Sequence, residues 1–505
     1  VSQTIQEATA LHCRFIPKNG TLYQEWSIPE KIDIPYYDYS MKKDSGKFVV
    51  NLMEQSVNKP LDLEHGPIYR TALFKIDEQT HYWFLMIHHI VSDAYSYQLL
   101  ERAVQEKYKA FLKQTTAKQS FGSYEEVIRE SLDYQSTERY KEARTFWKSD
   151  LSDLENLATL SEKKPILFAP VIRYHDRFLS EFVQTIKHFA KTNKMTFHDV
   201  LIASWALYIA RYSQKDEVVL NIPFMNRFGN ASMNVPCTVM NMLPLRFTVD
   251  KQMDFKSFVA LIQRKMQETK SFGEYRYEQV RRDLQIPKEE RFCSAQINIM
   301  PFYHEFRFGE ASATTKKIAI GPIEDISLNI FAEENGHYTA DLLGNSGSFD
   351  QQSLAEHFEH YLYLLKDVIE NPDKPMFLLH LMSETERNRV TQQWNKNGNK
   401  FIHQDVIDLL EQQVKRTPHE IAIQYKDESL TYEELWKATN QCARWLGKQN
   451  LKAGDFVAII ADRSIEMLIA MIATLKMRAA YIPIDPIYPK ERIEYMCEDA
   501  KPTCI

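Results

Sequence analysis

The chain has 505 residues, of which 44% are hydrophobic and 12% aromatic, so we expect an ordered protein of two or three folding units. Its 62 basic and 68 acidic residues give a formal charge of −6 and are spread along the chain, which makes nucleic acid a poor candidate partner. No uncharged apolar run approaches the roughly 20 residues that span a bilayer, which argues against a membrane role.

The two ends of the sequence lack the usual features of protein termini. The start, VSQTIQEATALHCRF, has no initiator methionine and no signal-peptide pattern, and the end, EDAKPTCI, has no helix terminus. We therefore expect a piece of a larger protein.

The six cysteines are far apart and form no CxxC pair. This spacing favours reduced thiols in a cytoplasmic enzyme, without disulfide or metal site.

Residues 81–108, HYWFLMIHHIVSDAYSYQLLERAVQEKY, predict a strand, a short loop and a helix. Side chains alternate along a strand, so a strand that includes His88 and His89 would send one imidazole to a cleft and the other inside. The pattern does not say which. Either Ser92 or Asp93 can cap the helix, and Asp93 is placed to hold the ring or the loop by a charge-assisted hydrogen bond.

A purely structural role is an alternative interpretation of these histidines, because a histidine at a strand end is more often structural than catalytic. A metal site is a weaker interpretation. Adjacent strand residues point apart, and no third ligand follows at a suitable spacing.

Further along, residues 257–284 carry apolar side chains at helical spacing (Phe258, Leu261, Ile262 and Met266), which predicts core packing. The helical pattern SLAEHFEHYLYLLKDVIENP precedes a polar stretch, 381–401, that is typical of a linker. Beyond it follow an amphipathic helix, a hairpin leading into a capped helix, and a strand, helix and strand. This order indicates a parallel α/β unit beginning near residue 402.

A family resemblance rests on several segments. HHIVSDAYS resembles the HHxxxDG motif of nonribosomal peptide synthetase condensation domains, which are relatives of chloramphenicol acetyltransferase. Other segments similar to that family follow in its order: DLEHGPIYRTALF, SYEEVIRESLDYQSTERYKEARTFWKSDL, FHDVLIASWALYIARYSQKDEVVLNIPFMNRFG, VPCTVMNMLPLRF, INIMPF and GPIEDISLNIF. LTYEEL and LKMRAAYIPIDPIYP resemble the first two core motifs of an adenylation domain.

The resemblance implies an α/β fold with two chloramphenicol-acetyltransferase-like lobes in a V-shaped pseudo-dimer, followed by a partial α/β adenylation subdomain. The implied boundaries are residues 1–165 for the N-lobe, with a truncated start, 166–385 for the C-lobe, 386–402 for a linker and 403–505 for the adenylation fragment. The later motifs of an adenylation domain would lie beyond Ile505, so we expect no adenylation by this chain.

The activity implied by the family is amide-bond formation, in which a carrier-bound aminoacyl amine attacks a carrier-bound acyl thioester. His89 would position or deprotonate the amine, since an imidazole suits proton transfer near neutral pH. His88 would support the motif, and Asp93 would organise the loop. Ala94, Asn241 and Asn298 would line a substrate tunnel, although a buried structural role suits the two asparagines as well.

The implied partners are an upstream acyl, aryl or peptidyl carrier protein as donor, a downstream peptidyl carrier protein as acceptor, and the remainder of the adenylation domain. Both substrates would be tethered to 4′-phosphopantetheine on these carriers, and no cofactor or metal is expected on the chain itself. EATALHCRFIPKNGTLYQ, NIPFMNRFG and VPCTVMNMLPLRF most resemble the first condensation domains of enterobactin-type and bacillibactin-type siderophore synthetases. In that subtype the donor is an aryl acid such as 2,3-dihydroxybenzoate.

Three departures from the family pattern keep alternatives open. Ala94 replaces the motif glycine, Phe272 stands where histidine is usual, and His12 stands where an arginine often pairs with the motif aspartate. Asp93 would then need another cationic partner. The alternatives are a degenerate condensation domain that only docks carrier proteins and, less favoured, an epimerisation domain.

Overall fold

The computed structural model describes residues 1–154, 157–227, 229–300, 306–319, 321, 323–396 and 404–505. The chain divides into two compact units, Val1–Thr391 and Gln392–Ile505. Both units combine helices with strands, so the predicted α/β fold class is confirmed. Within the ranges just given, no helix has the length and apolarity needed to cross a membrane.

The first half of the larger unit holds one antiparallel hairpin and one three-stranded sheet. Its elements are α1 (Ser2–Glu7), a 3₁₀ turn (Thr9–His12), β1 (Cys13–Lys18), β2 (Thr21–Trp26), β3 (Tyr36–Asp38), α2 (Ser45–Val57), β4 (Tyr69–Lys75), β5 (His81–Ile87), α3 (Ala94–Leu112), α4 (Tyr124–Gln135) and α5 (Glu138–Leu151). The sheet order is β3-β4-β5, with β3 parallel and β5 antiparallel to β4. Helix α2 packs on this sheet through Val49 and Met53.

The second half is built on a six-stranded sheet of order β6-β13-β12-β9-β7-β8. Its strands and helices are β6 (Val171–Phe178), α6 (Ser180–Thr192), α7 (Phe197–Ser213), β7 (Glu217–Phe224), a 3₁₀ turn (Ala231–Asn234), β8 (Asn241–Thr248), α8 (Phe255–Lys270), α9 (Tyr277–Asp283), β9 (Ala295–Met300), β10 (Phe306–Phe308), β11 (Ala311–Ala313), β12 (Ile326–Ala332), a 3₁₀ turn (Glu334–Gly336), β13 (Tyr338–Asn345), α10 (Gln351–Glu370), a 3₁₀ turn (Met376–Leu378) and α11 (Glu384–Asn388).

One large apolar core covers this sheet. Helices α6, α7, α8 and α10 supply it, and α7 is buried at every position from Asp199 to Ala210. Phe258 and Ile262 are 0% exposed, while Leu261 and Met266 pack at the edge of the same core, so the core prediction for this helix is confirmed. Helix α5 also sends Trp147 into this core, which ties the end of the first half to the second.

The smaller unit has the predicted parallel α/β arrangement. Its elements are α12 (Val406–Arg416), β14 (Ile421–Tyr425), β15 (Glu428–Thr431), α13 (Tyr432–Lys448), β16 (Phe456–Ile460), α14 (Ile465–Lys476), β17 (Ala480–Ile484) and α15 (Lys490–Ala500). Strands β16 and β17 pair in parallel, with α14 as their connection. Thr431 and Glu434 form a capping box at the start of α13, as expected after a polar hairpin.

The predicted linker, 386–402, begins inside a helical segment, because α11 is followed by a π-helical turn at Arg389–Gln393. Residues 397–403, which include the predicted start of the adenylation fragment, lie outside the described residues. The boundaries of the lobes, the linker and the fragment therefore stay predictions.

Candidate active site

Neither motif histidine belongs to the strand. Strand β5 ends at Ile87, which pairs with Tyr69, and the His88 N–H donates to the carbonyl of Ile68 at 3.0 Å. Beyond this pair the chain turns: the N–H of Ile90 bonds to the His88 ring and the N–H of Val91 to the His88 carbonyl, so the ladder does not continue to His89. The prediction that the two imidazoles alternate along a strand is therefore wrong, and both histidines lie in the turn that follows.

His88 is tied to the main chain of this turn. Its Nδ1 accepts from the N–H of Ile90 at 3.2 Å, and its carbonyl accepts from the N–H of Val91 at 3.1 Å. Partial burial, and then the neighbouring His89, lower the pKa of His88 below its ordinary value. The neutral ring with its proton on Nε2 fits these contacts, which gives His88 the geometry of a loop support.

His89 has the opposite environment, because its side chain is exposed. Its main chain is held from the second half, because the Thr238 hydroxyl donates to the His89 carbonyl at 2.5 Å. The imidazole is therefore accessible to a substrate while the backbone that carries it is held.

Asp93 is the buried anchor of the motif, with 2% of its surface exposed. It caps α3: its Oδ1 accepts from the Ser96 N–H at 3.0 Å, and the Ser96 hydroxyl in turn accepts from the Asp93 N–H at 3.4 Å. Between the two possible caps, Asp93 is the residue used. This cap also sets the direction in which α3 leaves the turn.

The cationic partner of Asp93 is Arg227, from the second half of the larger unit. Its Nη2 lies 2.9 Å from both carboxylate oxygens, and its side chain is fully buried. Arg227 also donates to the Val235 carbonyl at 2.9 Å and to the carbonyls of Ser232 and Cys237. A buried charge is stable only when it is paired and hydrogen-bonded. Here the guanidinium neutralises the carboxylate, and three main-chain carbonyls accept hydrogen bonds from further N–H groups of the guanidinium.

Sequence reasoning missed Arg227, although it stands in the quoted segment NIPFMNRFG. His12, by contrast, hydrogen-bonds through Nε2 with the Ile5 carbonyl at 2.9 Å and packs edge-on against Tyr69. Burial lowers the pKa of His12, which favours a neutral ring. The other unusual residue, Phe272, stacks on Phe146 with ring centroids 4.2 Å apart and so serves packing.

Residues 237–240, directly before β8, form the surface on which the motif turn rests. The Ser96 hydroxyl donates to the Cys237 carbonyl at 2.8 Å, and the N–H groups of Val239 and Met240 donate to Asp93 Oδ2 at 3.3 and 3.2 Å. The two halves of the larger unit therefore meet at the motif itself.

The three predicted tunnel residues have different surroundings. Ala94 is exposed and is the first residue of α3, a helical conformation that alanine adopts without strain. Asn241 is 1% exposed; its Nδ2 donates to the carbonyls of Gly273 and Tyr275 at 2.8 and 2.7 Å, which suits the structural alternative. Asn298 is half-buried in β9, opposite Asn329 of β12. A tunnel role for these residues stays a prediction.

Comparison with known families matches residues 1–391 to "Condensation domain" and residues 410–505 to "AMP-binding enzyme". The chain is 33% identical to a dimodular nonribosomal peptide synthase of Bacillus subtilis (strain 168), covering 99% of this chain and 21% of that protein. It is 27% identical to an isonitrile lipopeptide synthase of Streptomyces coeruleorubidus, covering 99% and 34%. The chain thus spans about a fifth to a third of the length of these relatives.

Solved structures agree with this family. A variant of the starter condensation domain of rhizomide synthetase, in complex with C8-CoA, superposes with a TM-score of 0.69 at 25% identity, covering 75% of this chain and 87% of that one. The first condensation domain of the calcium-dependent antibiotic synthetase shares the fold, with a TM-score of 0.68 at 22% identity and coverage of 75% and 89%. The chain belongs to the condensation-domain family of nonribosomal peptide synthetases and continues into a partial AMP-binding region.

Proposed function

We propose that this chain joins two carrier-tethered groups by an amide bond, the reaction that condensation domains of nonribosomal peptide synthetases catalyse. The observation that carries the proposal is the exposed His89 on a turn anchored by the buried Asp93–Arg227 pair. An accessible imidazole on a fixed backbone is what acid–base or hydrogen-bonding assistance requires.

In this reaction the acceptor amine attacks the carbonyl carbon of the donor thioester, the C–N bond forms, and the C–S bond breaks. The amine loses one proton, and the departing pantetheine sulfur gains one. His89 serves this transfer, either by taking the proton or by holding the amine in its attacking direction. General-base assistance is worth roughly 10²- to 10⁴-fold, and holding two tethered reactants together contributes the rest.

The partners follow from the same proposal. Carrier proteins of these synthetases present their groups on phosphopantetheine, so the donor comes from an upstream carrier and the amine from a downstream one. We place the two lobes at 1–165 and 166–385, the linker at 386–402 and the adenylation fragment at 403–505. The remainder of the adenylation domain would complete that fragment.

Two donor classes are supported by different observations. The segments EATALHCRFIPKNGTLYQ, NIPFMNRFG and VPCTVMNMLPLRF favour an aryl donor, 2,3-dihydroxybenzoyl, in siderophore-type synthesis. The likeness to a starter condensation domain in complex with C8-CoA favours a fatty acyl donor instead. We place the aryl donor first, because three separate segments of the chain support it.

A single-turnover assay by intact-protein mass spectrometry tests the proposal. The chain is mixed with an aryl carrier protein loaded with 2,3-dihydroxybenzoate or an octanoyl-loaded carrier, and with an acceptor carrier loaded with glycine, serine or threonine. We expect the aryl-aminoacyl mass on the acceptor carrier, reduced more than about tenfold by His89→Ala. Product from the octanoyl donor alone would support amide-bond formation but would replace the aryl donor with a fatty acyl donor.

The docking-only and epimerisation alternatives give other results in the same assay. Carrier binding without product from either donor would favour docking. Inversion at the aminoacyl α-carbon without transfer would favour epimerisation. Full turnover by His89→Ala would remove His89 from the mechanism.

A further inference from the structure

A hydrogen bond joins Thr238 of the second half to the backbone of His89 in the first half. Among the residues that the structure describes, it is the one bond from the second half to that backbone. Thr238 Oγ1 lies 2.5 Å from the His89 carbonyl oxygen. Three main-chain N–H groups around His89 bond inside the first half: that of His88 to Ile68, that of Ile90 to the His88 ring, and that of Val91 to the His88 carbonyl.

Thr238 is a fixed donor because the residues around it are bonded. The carbonyl of Cys237 accepts from Ser96 and from Arg227, while the N–H groups of Val239 and Met240 donate to Asp93. On the far side, Arg276 Nη1 donates to the Met240 carbonyl at 2.8 Å. The hydroxyl is thus held at a set place relative to the motif.

We propose that Thr238 is a positioning residue: its hydrogen bond to the His89 carbonyl sets the backbone of that residue and so the direction in which the imidazole leaves the chain. This proposal rests on the proposed function, in which His89 meets the acceptor amine. Without the hydroxyl, the carbonyl bonds to water, and the turn loses its one link to the second half at that position. Small misplacements of a reacting group lower rates steeply.

Thr238→Val removes the hydroxyl and keeps the side-chain shape, while Thr238→Ser keeps the hydroxyl and removes the methyl group. We expect Thr238→Val to lower kcat about tenfold with KM within about twofold, because positioning acts on the reacting geometry and not on carrier binding. Thr238→Ser restores turnover. Thr145→Val is a matched control, since its hydroxyl also donates to a carbonyl, that of Lys141 at 3.0 Å, on an exposed helix.

A loss in Thr238→Ser as large as that in Thr238→Val would show that the hydroxyl alone does not sustain turnover and would overturn the proposal, as would full turnover by Thr238→Val. Thermal unfolding of each variant separates positioning from loss of fold.

A second measurement does not need turnover. In the histidine-labelled protein, the ring signals of His89 are identified by their absence in His89→Ala. We expect Thr238→Val to shift and broaden these signals, and Thr238→Ser to leave them close to those of the unchanged protein. Unchanged signals in Thr238→Val would refute the positioning role. If the wild-type protein were inactive and Thr238→Val still shifted the His89 signals, the proposed function would be contradicted while the effect of the Thr238 contact on His89 would be supported.

Discussion

The Nη2 of Arg227 lies 2.9 Å from each carboxylate oxygen of Asp93, and neither side chain has more than 2% of its surface exposed. Asp93 ends the motif turn of the first half, whereas Arg227 follows β7 of the second half. Asp93 therefore caps the helix after the histidines, and its buried ion pair with Arg227 joins the two halves at the candidate site. Losing either partner leaves a buried charge without compensation.

The first prediction concerns this pair. Arg227→Met should lower the free energy of unfolding by about 3–5 kcal/mol and abolish turnover, because Asp93 then stays buried and unpaired. Arg227→Lys should recover only part of this, since a single ammonium cannot replace a guanidinium that contacts three carbonyls and a carboxylate. Denaturant unfolding measures both variants.

The double variant Asp93→Asn/Arg227→Met is the control for this prediction. It removes both charges, so it should be more stable than Arg227→Met alone. A loss below about 1 kcal/mol in Arg227→Met would contradict the assignment of the pair as an anchor.

The sequence pattern predicted what depends on neighbours along the chain. Alternation placed a strand up to Ile87 but carried it wrongly into the histidines, the capping pattern left Ser92 and Asp93 as the two candidates, and the parallel unit around α14 was predicted. It failed where partners are distant: Arg227 is 134 residues from Asp93, and Thr238 is 149 residues from His89. The early end of β5 comes from the N–H groups of Ile90 and Val91, which bond back to His88 in a tight turn that the apolar alternation did not reveal.

A second prediction concerns Ala94, whose place at the motif glycine raised the docking-only alternative. Ala94 is exposed and helical, so the site has no need of glycine's left-handed conformation there. Ala94→Gly should lower stability by less than about 1 kcal/mol and change turnover less than about twofold. A rise in turnover of tenfold or more would show that the methyl group obstructs the substrate.

A third prediction concerns Glu101, two turns after Asp93 on α3. Its Oε1 lies 3.4 Å from the Thr315 hydroxyl, and burial raises the pKa of Glu101 to about 7. Between the ordinary pKa of 4.5 and about 7, the unfolded chain loses this proton while the folded protein keeps it. Stability should therefore fall as pH rises through this window.

The variant Glu101→Gln removes the titration and should stabilise the larger unit above pH 7, by roughly 1–2 kcal/mol after allowance for contact with solvent. Glu106→Gln, on the exposed side of the same helix, is the matched control and should leave the pH slope unchanged. Identical pH–stability curves for the wild type and Glu101→Gln would contradict the assignment.

The last prediction has the opposite sign and concerns His357 on α10. The ring is 4% exposed, and its Nδ1 lies 2.8 Å from the Tyr208 hydroxyl. Burial, and then the charge of His360, lower the pKa of His357 to about 4. As pH falls below the ordinary histidine pKa of 6.5, His357 of the unfolded chain binds a proton, whereas in the folded protein it does so only near pH 4.

Stability of the larger unit should therefore fall by about 2–3 kcal/mol between pH 6.5 and 4 on account of this residue. His357→Asn retains an acceptor for Tyr208 and does not titrate, so its stability should change less over this range. His188→Asn, at an exposed position of α6, should behave as the wild type. The measurement is the unfolding free energy at half-unit pH intervals, and equal acid slopes for wild type and His357→Asn would show that another group carries the acid sensitivity.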